Sequence, residues 1–148
     1  MAMKETEGSL RAYFLLAGVI SILLSIRDLG AATEIPFSAL PTDWMMAIYV
    51  PLITRLGLGA AYLVAGIFLK TALPTGAGWI KHILVLGMVL MTANAVLIAV
   101  VLGSDEGSSG LIGAIIGVAI TVYLYKSVTR LSAEAVTRAA TPPAARVV

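Results

Sequence analysis

Residues 44–70 read WMMAIYVPLITRLGLGAAYLVAGIFLK, a long apolar run rich in small residues that carries one full charge, Arg55. Bilayer hydrocarbon offers an arginine nothing, so Arg55 has to find a carboxylate, a carbonyl or water. Its surroundings are therefore the most constrained polar site in the molecule. Apolar runs close to the roughly 20 residues that cross a bilayer recur along the rest of the chain. None of them carries the charged face that a soluble bundle needs. The composition agrees: the 148 residues are 59% hydrophobic and 12% charged, whereas soluble domains run at about 25% charged.

These runs predict an all-α integral membrane protein, a compact antiparallel bundle of four transmembrane helices. Helix one is expected over 10–26, helix two over 51–69 with a pre-helix at 44–50, helix three over 79–102 and helix four over 110–126. An amphipathic pattern then extends helix four to about residue 140, which closes a single domain of 1–140. The Pro142-Pro143 segment 141–148 is expected to fray. Lys4 and Arg11 ahead of an apolar core also suit a signal peptide, with small residues at Gly30, Ala31 and Ala32. Arg27 and Asp28 sit where a cleavage region should be uncharged, so the segment is read as a retained helix.

Lys and Arg set the orientation. Lys4, Arg11, Lys70, Lys81, Lys126, Arg130, Arg138 and Arg146 fall on the side of the termini, against Glu5, Glu7 and Glu134. Arg27 and Arg55 fall on the other side with Asp28, Glu34, Asp43, Asp105 and Glu106. A surplus of five positive charges faces a surplus of three negative ones, together the net +2 of the chain. Both termini are thus expected in the cytoplasm, in a multi-pass protein of the plasma (inner) membrane. The basic surplus reflects that asymmetry and not nucleic-acid binding.

Depth follows from 1.5 Å of rise per residue. Arg11 to Arg27 covers roughly 24 Å, and Lys70 back to Arg55 roughly 22 Å. This places Arg55 near the outer boundary, level with Arg27, with Pro51 as a break one turn above. The pre-helix would then fold as an apolar cap with Ile35, Phe37 and Leu40. The competing geometry is one continuous helix over 44–70 with Arg55 near its middle. The short helices one and four favour the shorter span. In either case Asp28 or Glu34 is the expected partner. Arg55→Ala should then destabilise the protein by leaving a carboxylate unpaired.

Other residues suggest assembly or binding. Gly57, Ala61 and Ala65 share one face of helix two, and Gly113-xxx-Gly117 marks helix four. Such spacing lets helices approach closely, within one bundle or between copies. Asn94, near the middle of helix three, calls for a hydrogen-bond partner, as interhelical glue or in a polar cavity. Phe37, Leu40, Trp44 and Tyr49 are candidates for partner contact. Trp79, Tyr123 and Tyr125 suit one interfacial aromatic belt, with Lys81 and His82 beside Trp79.

The chain has no cysteine and one histidine, which excludes thiolate chemistry and a multi-histidine metal or haem site within one chain. No carboxylate lies mid-helix and no nucleophile–base set is evident, so no catalytic residues, metal or cofactor are assigned. The expected function is a non-catalytic, self-associating component or an accessory subunit of a membrane complex, with lipid, copies of itself or other membrane subunits as partners. The alternative is a small transporter, channel or lipid and hydrophobic-ligand binder, with a polar site at Arg27, Arg55, Asp28, Glu34 and Asn94. A hydrated or ligand-filled cavity reaching Arg55 would favour the second reading, and Arg55 closed off by Asp28 or Glu34 in a dry core the first.

Overall fold

The computed structural model describes residues 6–36, 38 and 40–141; of Leu102 and residues 104–110 only the backbone is described. Four helices follow one another: α1 (Glu7–Thr33), α2 (Thr42–Ala72), α3 (Gly78–Leu102) and α4 (Ser104–Ala140), with a 3-10 turn at Leu73–Thr75. Each is long and apolar enough to cross a membrane.

The starts and stops have local causes. A capping box opens α1, in which the Thr6 hydroxyl accepts from the Ser9 backbone N–H and Ser9 answers to the Thr6 backbone. The chain turns between α2 and α3 at Gly76 and Ala77, both with positive φ. It turns between α3 and α4 at Gly103 alone, whose φ of 88° and ψ of 178° only glycine adopts readily.

Three expected boundaries are corrected. α2 does not begin near Pro51: residues 44–50 are its first turns, and Pro51 lies inside the helix. Proline removes one N–H without ending a helix that packing supports on both sides, and Ala47, one turn back, is buried. The acidic stretch 103–109 is not a multi-residue turn. Gly103 reverses the chain alone, and the Ser, Asp and Glu after it suit a first helical turn. Finally, α1 and α4 are not short, at 27 and 37 residues. The premise that favoured a short α2 therefore falls, and Arg55 lies near the middle of a continuous helix.

Two hairpins, α1–α2 and α3–α4, meet along α2 and α3, while α1 and α4 scarcely touch. Glycine closes the first hairpin. A Cβ on Gly18 would sit 2.8 Å from the Gly59 carbonyl oxygen, and one on Gly66 3.1 Å from the Leu15 backbone nitrogen. These contacts fix the register. Arg11 comes level with Lys70, and Arg55 with the turn just before Arg27. Between the hairpins, Gly87 accommodates the Tyr62 hydroxyl, and within the second hairpin Gly117 accommodates the Met91 sulfur. By the same reckoning, Lys81 and Lys126 lie near the level of Lys70, and Asn94 and Ala114 near that of Arg55.

The core gathers at the Lys70 end. Leu10, Phe14, Leu69, Ile80, Leu84 and Val128 are almost fully buried there, and the Phe14 ring meets Tyr62 edge-on at 5.9 Å.

Candidate functional site

Asp28 anchors the polar cluster at the opposite end. Arg27 donates to its Oδ1 through Nε at 2.9 Å and Nη2 at 2.7 Å, and Arg55 donates to Oδ2 through Nη1 at 2.8 Å. Two guanidinium groups thus share one carboxylate, leaving a net charge of +1. The side chains are 74%, 45% and 28% exposed for Arg27, Arg55 and Asp28. The carboxylate is therefore the best shielded of the three. Because Arg27 holds one oxygen by two donors, Arg55 can turn away without leaving Asp28 unpaired. The expectation that Arg55→Ala strands a carboxylate is revised on this ground.

Arg55 also borders a cleft of about 470 Å³ between the hairpins, and it is the one charged side chain among the described residues lining it. Thr54 and Tyr62 join it from α2, Asn94 and Met91 from α3, and Gly113 and Ala114 from α4. The cleft has a simple cause. At this level α3 and α4 contribute Ala95, Gly113 and Ala114, which are too small to fill the gap that Tyr62 and Leu84 fill nearer the Lys70 end. Polar groups therefore converge on a space walled mainly by apolar side chains, the usual make-up of a small-molecule site.

Glu34 stands apart. It caps α1 through its backbone N–H to the Ala31 and Ala32 carbonyls, and its exposed side chain forms no part of the Arg55 cluster. Tyr49 donates to the Ala32 carbonyl at 3.2 Å and ties the start of α2 to the end of α1. Trp44 is exposed and Leu40 half-buried, while Phe37 lies outside the described residues.

The small-residue faces are used differently from their sequence pattern. Gly59 and Gly66 carry the contact with α1; Gly57 is exposed with nothing near it, Ala61 is half-buried and Ala65 is fully buried in the core. On α4, Gly117 is taken up by Met91, and Gly113 rims the cleft. Ser25 and Thr121 bond back to the carbonyls of Ser21 and Gly117 within their own helices, and the Thr121 hydroxyl also meets that of Tyr62 on α2.

Sequence reasoning passed over Thr54 and Tyr62. Tyr62 lies two turns from Arg55 on one face of α2, and that spacing is the signal that could have joined them. No group of acidic, histidine or cysteine side chains able to hold a metal occurs among the described residues. Comparison of the chain with protein-family models, with curated proteins and with solved structures gave no match.

Proposed function

We infer that this chain is a non-catalytic membrane protein that binds a single-chain anionic amphipath, such as a fatty acid, in the cleft between its hairpins. The observation that carries this reading is the cavity reaching Arg55, lined by one positive charge, one amide and apolar walls. Arg55 would exchange Asp28 for the ligand's carboxylate while Arg27 keeps Asp28 compensated. Asn94 would supply a neutral donor at the same level, and the tail would lie between α2, α3 and α4. The volume is within the range of small-ligand sites.

The positive-inside rule supports a cytoplasmic position for both termini in a plasma (inner) membrane, and on that reading the ligand would enter from the outer leaflet. Self-association through the Gly113 face of α4 stays open as an alternative, because Gly113 is exposed and only Gly117 is occupied, by Met91 of the same chain.

The test is binding of a fluorescent fatty acid to the purified full-length chain in detergent. Arg55→Gln is expected to weaken binding with little change in melting temperature. Ala114→Phe, which fills the cleft without touching charge, is expected to abolish it. Unchanged binding in Ala114→Phe overturns the assignment.

A further inference from the structure

A second hollow, of about 720 Å³, lies on α3 at the Lys70 end and shares no lining residue with the cleft. Lys81 and His82 form its head. Val85, Leu86 and Val89 continue it along the helix, and Tyr125 of α4 forms a side wall. The three apolar side chains are 44%, 53% and 59% exposed, so the floor of the groove is open along its length. The His82 Nδ1 lies 2.8 Å from the Gly78 carbonyl oxygen. A carbonyl only accepts, so Nδ1 carries the proton and the ring is held against its own helix, which leaves Lys81 as the charge of the head.

The register places Arg11, Lys70 and Lys126 near the same level, and no acidic residue lines the hollow. Glu134, farther along α4, is already engaged by Arg138 at 3.3 Å. A basic head above an apolar channel, at the depth where the helices become polar, complements one class of occupant.

We propose that this groove is a site for an anionic phospholipid, with the phosphodiester at Lys81 and one acyl chain along Val85, Leu86 and Val89. Charge complementarity argues for an anionic head group and against a zwitterionic one, because the groove offers the Lys81 cation and no carboxylate to meet a choline. The assignment is independent of the cleft reading, since the two sites have separate walls.

Native mass spectrometry of the full-length chain in detergent tests it, with dioleoyl phosphatidylglycerol and dioleoyl phosphatidylcholine added at equal concentration. A single phosphatidylglycerol adduct is expected to dominate, and Lys81→Gln is expected to reduce that preference about fivefold. Lys126→Gln removes the same charge at the same level but outside the groove, and should keep the preference. Leu86→Trp retains every charge and blocks the channel, so it should lose the adduct while its melting temperature holds. Equal retention of both lipids overturns the proposal. So does an effect of Lys126→Gln as large as that of Lys81→Gln, or an undiminished adduct in Leu86→Trp.

Discussion

The two ends of the helix bundle are built from side chains of different size and packed in opposite ways. At the Lys70 end, Phe14, Tyr62, Leu69, Ile80, Leu84 and Val128 interlock across all four helices. At the Arg55 end, the α1–α2 hairpin stays closed, but the space between the hairpins is a cleft. The difference is one of volume. Bulky side chains facing one another across a helix interface exclude cavities, whereas alanine and glycine facing arginine and asparagine do not. A membrane helix pair gains little from hiding apolar surface, because lipid is equally apolar. Packing contacts decide where the hairpins adhere, and those contacts concentrate at one end.

That contrast can be broken from either side. The largest effect is expected for Phe14→Ala, which removes a fully buried ring and its edge-on contact with Tyr62. It should cost about 3–5 kcal/mol, read as a strongly lowered melting temperature in detergent. A loss as small as that of a lipid-facing substitution would show that the Lys70 end is not the stabilising core.

Gly18→Val comes next. Any Cβ there meets the Gly59 carbonyl at 2.8 Å and the Leu63 backbone nitrogen at 2.9 Å, so the hairpin must separate. Overpacking of this kind costs about 1–3 kcal/mol. Gly57→Val, facing open space, is the matched control and should leave the melting temperature unchanged.

Ala114→Phe fills the open end and should shift stability by less than about 1 kcal/mol in either direction, while removing fatty-acid binding. A loss as large as that of Phe14→Ala would mean the cleft is closed in the membrane. The smallest thermal effect is expected for Asp28→Asn, because both guanidinium groups that the carboxylate holds are exposed. Its signature lies in binding. With the shared carboxylate gone, Arg55 is freed and fatty-acid retention should rise, whereas a fall would show that Asp28 positions Arg55 for the ligand.

Much of this layout is legible in the sequence. Four long apolar runs without charged faces predict four helices long and apolar enough to cross a membrane, and the lone arginine among them requires a partner. Arg27 and Asp28 close to the first run make that partner available. The sequence did not reveal the helix ends, because Pro51 and the acidic stretch after Gly103 are ambiguous in isolation. A proline breaks an isolated helix, but α2 is held by neighbours on both sides of it. Ser, Asp and Glu suit a turn or a first helical turn equally, and Gly103 with its positive φ settles the matter.

Which glycines carry the helix contact was also not legible. Gly57 and Gly59 differ by about 200° around α2, and only the facing helix decides which of them is used. The charge pattern, the number of spans and the need to compensate Arg55 belong to the sequence, since each follows from the cost of polar groups in hydrocarbon. The choice of Asp28 over Glu34 and the cleft between Arg55 and Asn94 belong to tertiary structure. They depend on the register between helices, which is set by side chains in contact that lie far apart in the chain.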